Sequence, residues 1–163
     1  MIVVADTSVI LNLALVGQEE LLAVLFREVF IPPAVQAEFA RLASSPGRFG
    51  GLGFPAWIQV RQPLAVPEGL IGHTDLGPGE MEALALAVEM HADAVLIDES
   101  AGRTAALELG LTPVGVLGIL VRAKRHGQLA AVAPVVDALI TRAHFRASPG
   151  LLREVLRMAG EAP

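Results

Sequence analysis

No cysteine occurs among the 163 residues, so disulfides, thiolate metal sites and cysteine nucleophiles are all excluded. Any bound metal has to take oxygen or imidazole ligands. The four histidines, His73, His91, His126 and His144, lack the close spacing of an imidazole site. Long apolar runs are missing as well, because Asn12, Gln18-Glu19-Glu20 and Arg122 break every stretch that approaches the roughly 18 residues of a membrane-span candidate. The first residues lack the basic start of a secretory signal, and Ile2-Val3-Val4-Ala5 is too short for its apolar segment. The expectation is a soluble, cytoplasmic protein without membrane association. No serine stands in a nucleophile-elbow sequence. Gly47, Gly50, Gly51 and Gly53 are not followed by the Gly-Lys-Ser/Thr of a phosphate-binding loop.

What the chain does have is 53% apolar residues, enough to bury a substantial core in one domain spanning 1–163. Its net charge of -5 is unevenly spread. Residues 1–113 carry 5 basic and 14 acidic side chains, whereas residues 114–163 carry 7 basic and 3 acidic. An acidic excess argues against general nucleic-acid affinity, which depends on neutralising phosphates with Lys and Arg. It leaves room for local basic surface.

Ile2-Val3-Val4-Ala5 reads as a strand running into Asp6-Thr7-Ser8, and Val9 to Leu15 as a helix. Further helices are predicted over Glu19–Phe26, Pro33–Leu42, Glu80–Met90, from Asp98 through Leu109, and near Leu117–His126, Pro134–Ala143 and Pro149–Met158. Strands are predicted at Val29–Ile31, Trp57–Val60, Ala94–Ile97 and around Val114. Residues 44–55, rich in glycine and proline, read as an exposed, flexible loop and a candidate lid. Strands alternating with helices imply an α/β fold, three α/β/α layers around a central, mostly parallel sheet. In such sheets ligands collect beyond the carboxyl ends of the strands.

Two acids occupy those ends, Asp6 after the first strand and Asp98 after Val95-Leu96-Ile97. Either carboxylate could simply cap the helix that follows it. Brought together in one crevice, they would repel unless protonated or bridged by a hard cation such as Mg²⁺ or Mn²⁺. Glu38 lies in an otherwise apolar helix and is a third candidate, with a surface pair to Arg41 as its ordinary role. Glu80 starts a helix, where its charge also complements the helix dipole. Glu82, two positions on, points elsewhere. Thr7 and Ser8 offer hydroxyls, either to cap the first helix or to bind metal water.

The ordered set Val4-Ala5-Asp6-Thr7-Ser8, Ile31-Pro32-Pro33-Ala34-Val35 leading to Glu38, Gly79-Glu80-Met81-Glu82-Ala83, and Leu96-Ile97-Asp98-Glu99 resembles the PIN-domain ribonucleases. Gly102-Arg103 and Val114-Gly115-Val116-Leu117-Gly118-Ile119-Leu120 resemble in particular their short bacterial and archaeal PIN-like branch, related to VapC-type toxins. The resemblance implies a Mg²⁺- or Mn²⁺-dependent nuclease site. By position it assigns Asp6, Glu38, Glu80 and Asp98 as metal ligands and catalytic acids, with Glu99 as an additional catalytic carboxylate. It further implies an RNA substrate and, for toxin members, an antitoxin protein partner. Those toxins usually carry another Asp three residues after the position of Asp98, where this chain has Ala101. The alternative expectation is therefore a catalytically inactive PIN-like module that binds protein or RNA.

Arg122, Lys124, Arg125, Arg142 and Arg146 form either a phosphate-guiding surface or a solvated helix face, and Arg103 could bind a phosphate oxygen or form a surface pair. Trp57 reads as a packing residue. Asp6-Thr7-Ser8 also loosely resembles the start of haloacid-dehalogenase-like phosphotransferases, but Ser8 stands where their second Asp belongs. Leu151, Leu152, Val155 and Leu156 make the last helix amphipathic, so that it packs on the domain or joins a homodimer.

Overall fold

The computed structural model describes residues 1–161. Five strands form the sheet: β1 (Ile2–Ala5), β2 (Glu28–Ile31), β3 (Gln59–Val60), β4 (Ala94–Leu96) and β5 (Pro113–Val114). Their order is β3-β2-β1-β4-β5 and every pairing is parallel. Eight α-helices sandwich this sheet among the described residues: α1 (Thr7–Leu15), α2 (Glu20–Leu25), α3 (Pro33–Ser44), α4 (Pro78–Glu89), α5 (Ser100–Glu108), α6 (Val116–Arg125), α7 (Ala133–Arg142) and α8 (Pro149–Met158). Helices α3, α4 and α5 pack in sequence, α6 packs on α2 and α8, and α1 touches both α3 and α6. The architecture is the three-layer α/β/α arrangement, with the sheet wholly parallel.

The central strands show why. Val3, Val4, Ala5, Val95 and Leu96 have no exposed surface, as expected of parallel strands covered on both faces. Each buried Val or Leu side chain contributes about 1.5–3 kcal/mol. Val3 pairs with Ala94 and Ala5 with Leu96. Leaving β1 the chain crosses toward β2, and leaving β4 it crosses the other way to β5. The sheet thus has its topological switch point between β1 and β4, where a crevice opens at the carboxyl ends. The amide of Asp6 donates to the Leu96 carbonyl at 2.9 Å and fixes the first acid at this crevice.

Local chemistry explains most element limits. Pro33 and Pro78 occupy first helical turns, where a missing N–H goes unnoticed; α4 consequently starts two residues before the predicted Glu80. The predicted strand at Trp57–Val60 shrinks to Gln59–Val60, and Trp57 instead donates its indole N–H to Glu20 at 3.3 Å. Between α3 and β3, the Gly51 amide donates to the Ala43 carbonyl at 2.8 Å. Phe54 meets Phe39 edge-on at 5.3 Å. No helix among the described residues is long and apolar enough to cross a membrane.

The basic residues of α6 are largely used internally. Lys124 pairs with Glu161 at 2.9 Å, Arg125 donates to the Met158 carbonyl at 3.1 Å, and Arg122 lies over the Phe26 ring at 5.5 Å. The first two contacts hold α8 and the segment after it against α6, and the third joins α6 to the end of α2. Of the basic set, Arg146 alone lines the cleft described below.

Candidate functional site

Asp6 ends β1 and precedes α1 without capping it through its side chain. Only 4% of it is exposed. Burial raises its pKa to about 7, opposed by the Thr7 amide and reinforced by the charges of Glu80, Glu38 and Glu99. Those three acids arrive from α3, α4 and the turn after β4. They line, with Asp6 and Ser8, one pocket of about 600 Å³.

Glu38 is placed by the Thr7 hydroxyl, which donates to its Oε2 at 3.2 Å. Neither Thr7 nor Ser8 caps α1 with its side chain; Ser8 Oγ is buried without a partner. Among the described residues no ion pair joins Glu38 to Arg41. Glu80 has two roles at once. Its Oε1 accepts from the Gly77 amide at 3.3 Å, holding the start of α4, while its Oε2 is buried and unpartnered. Burial raises its pKa, opposed by the Gly77 amide and supported by Glu99, Glu38 and Asp75. Glu82 turns away and accepts from the Ala34 amide at 3.0 Å, tying α4 to the start of α3.

Two glycines make room for these carboxylates. A Cβ on Gly79 would stand 2.7 Å from Glu38 Oε2, and one on Gly102 would stand 2.9 Å from Glu80 Oε2. Both close approaches require the absence of a side chain.

Asp98 is held differently from the other four. Its Oδ1 accepts from the Val116 amide at 3.1 Å, so it caps α6 rather than the helix that follows it. Burial raises its pKa, opposed first by the Val116 amide and then by Arg103. Arg103 donates to the Ile97 carbonyl at 3.0 Å. Asp98 Oδ2 is buried and unpartnered. Asp98 and Arg103 line a second, larger cleft of about 860 Å³, which shares Ser8, Glu38 and Glu99 with the acidic pocket. The structure therefore gathers Asp6, Glu38, Glu80 and Glu99 and sets Asp98 at their margin, next to Glu99.

The oxygen donors suit a hard divalent cation. Among the described residues Glu80 Oε2 has no protein partner to lose, and burial together with the neighbouring acids disfavours a charge on Asp6. As arranged, no three acidic or histidine side chains among the described residues stand close enough together to hold an ion. Two of the gathered acids, Glu38 and Glu99, extend from half-buried and exposed positions on flexible glutamate stems.

Sequence inspection had no means of finding Arg48 and His144 as neighbours. They approach across the larger cleft, where the Arg48 guanidinium donates to His144 Nδ1 at 3.3 Å. The only local signal is that each adjoins an aromatic residue, Phe49 and Phe145.

A fully parallel five-stranded sheet between helical layers is consistent with a three-layer α/β/α PIN fold. The family model DUF3368, described as a PIN domain, matches residues 2–161, and the chain belongs to that family. PIN domains are generally dependent on divalent metals. No curated protein and no solved structure matches the chain.

Proposed function

We propose that this protein is a metal-dependent endoribonuclease that hydrolyses RNA phosphodiester bonds with Mg²⁺ or Mn²⁺. The observation that carries the reading is the convergence of Asp6, Glu38, Glu80 and Glu99 on one pocket at the β1–β4 switch point. Such crowding of carboxylates around a buried aspartate is costly without positive charge. Asp6, Glu38 and Glu80 are the proposed ligands, with Glu99 completing the shell and Asp98 contributing from the margin. A bound divalent cation supplies Lewis-acid stabilisation of phosphoryl charge and lowers the pKa of water.

The chain's own groups do the rest. Thr7 holds Glu38 in place through its hydroxyl. The Gly77 amide holds Glu80 by one oxygen and leaves the other buried without a partner among the described residues. Arg103, beside Asp98 and facing the adjoining cleft, is positioned to bind a phosphate oxygen. The toxin half of a toxin–antitoxin pair is the biological role the reading accommodates. Its test is incubation of purified protein with structured and single-stranded RNA in Mg²⁺ or Mn²⁺. Cleavage is expected, with loss of about 10²-fold or more in Asp6→Asn and Glu80→Gln. Undiminished cleavage in both variants would reject the site.

A second reading, a PIN-like module that binds without cutting, is favoured by the engagement of Asp98 as a cap and by Ala101 three residues later. It predicts no Mn²⁺ binding at millimolar concentration together with retained RNA or protein binding.

A further inference from the structure

We propose that Arg41 is a substrate-binding residue of the acidic pocket, where its guanidinium grips the two non-bridging oxygens of the phosphodiester being cut. This rests on the nuclease reading of that pocket and adds a residue that the carboxylate set leaves out.

Helix α3 has two faces of different character. Val35 and Phe39 are buried in the core, whereas Ala34, Ala37, Glu38 and Arg41 line the acidic pocket. Those four positions follow the three- and four-residue spacing of a single helix face. Arg41 is the one Lys or Arg lining this pocket among the described residues. Its side chain nevertheless enters no ion pair there, and only its backbone carbonyl is used, by the Ser45 hydroxyl at 2.7 Å. Arg103, in the adjoining cleft, by contrast spends an N–H on the Ile97 carbonyl. The Arg41 Cα lies about 4.5 Å beyond that of Glu38 along the helix axis. Helical side chains lean toward the N-terminus, which carries the long Arg41 stem back over the Glu38 turn.

Carboxylates gathered to hold a cation also repel the phosphate that has to approach it. A guanidinium on the same pocket wall offsets that repulsion, and it cannot be switched off by losing a proton. Two of its parallel N–H groups match a pair of phosphate oxygens. In the transition state of phosphoryl transfer negative charge is spread over those oxygens, and a donor already in place stabilises it. Arg41 also stands in the last turn of α3, where any cation complements the helix dipole. Lysine would serve the dipole equally well, but as a point charge it cannot make the paired grip. That difference separates the two roles.

The experiment compares single-turnover RNA cleavage in Mn²⁺ by the native protein, Arg41→Ala and Arg41→Lys, with thermal melting and Mn²⁺ titration of each. Arg41 is exposed, so both variants are expected to fold with melting temperatures near the native value. Arg41→Ala should lower the cleavage rate about 10²-fold and Arg41→Lys about tenfold, with Mn²⁺ affinity no weaker than native. Guanidinium chloride at a non-denaturing concentration should restore part of the rate to Arg41→Ala and nothing to the native protein. Arg41→Ala cleaving within about twofold of the native rate, or Arg41→Lys matching it, would overturn the role and leave the nuclease reading standing. A loss that comes with weaker Mn²⁺ binding and is not recovered by guanidinium would make Arg41 a structural residue and overturn the role as well. Absence of any Mn²⁺-dependent cleavage by the native protein would overturn the nuclease reading and the role together.

Discussion

Asp98 Oδ1 accepts a hydrogen bond from the Val116 amide at 3.1 Å, joining the end of β4 to the first turn of α6 across 18 residues. The second strand-end acid is thus a structural cap as well as a neighbour of the acidic pocket. Asp6 makes no such bond through its side chain. These two aspartates after β1 and β4, offset by one residue in the strand register, consequently differ in what their removal does.

For Asp98 the expected outcome depends on the replacement. Asp98→Ala leaves the Val116 N–H without its acceptor and lowers stability by about 1 kcal/mol. Asp98→Asn keeps an acceptor oxygen and lowers it by less than about 0.5 kcal/mol. Urea unfolding measures both, and equal losses would contradict the capping role.

For Asp6 the sign is reversed. Its pKa rises from 3.8 unfolded to about 7 folded, so the folded protein binds the extra proton. Stability is therefore greater at low pH and declines as pH rises between those values. Asp6→Asn removes this dependence and raises the stability of metal-free protein above pH 7, on the order of 2–4 kcal/mol. Melting curves from pH 5 to 8 in EDTA would show the variant pulling ahead as pH increases. A variant that is less stable throughout would contradict the strained-carboxylate account.

The two close glycines separate site placement from core packing. At Gly79 the added methyl meets the mobile end of Glu38 at 2.7 Å. Gly79→Ala should therefore displace Glu38 from Thr7 and lower cleavage about tenfold or more, with under about 1 kcal/mol lost. At Gly102 the methyl also strikes the Ile97 Cδ1 atom inside the core, so Gly102→Ala should lose about 1–3 kcal/mol as well as activity. Parallel unfolding and RNA-cleavage measurements on the two variants check the contrast.

Glu161 supplies a different pH effect. The amides of Val132, then Lys124 and the amide of Ala133, hold its carboxyl down at about 2. The stabilisation it gives is complete above the unfolded value of 4.5 and disappears as pH falls toward 2. Glu161→Gln should lower the melting temperature at pH 7 by about 2–4 °C, corresponding to ~1 kcal/mol for a solvent-facing cluster. The difference from the native protein should vanish near pH 2 if both remain folded there.

The β-branched runs ending in Asp6 and Asp98 carry the sheet and its switch point in their order along the chain, since alternation with helices leaves few topologies open. Glu38 and Glu80 were also legible, as acids on helices that return to that crevice. The commitment of Asp98 to Val116 was not, because a cap 18 residues away depends on how α6 docks after β5. The Arg48–His144 approach spans 96 residues and has no local signature. The basic stretch of α6 left a phosphate-guiding surface and a solvated helix face both open, and the use of Lys124 by Glu161 and of Arg125 by the Met158 carbonyl depends on how α8 docks, which has no local signature.

The central claim, a divalent cation held by the gathered acids, is tested most directly by anomalous diffraction from crystals of the protein grown with Mn²⁺. The account predicts an anomalous peak inside the pocket bounded by Asp6, Glu38, Glu80 and Glu99, lost in Asp6→Asn. A peak remote from Asp6, or no peak in the pocket at millimolar Mn²⁺, would contradict it.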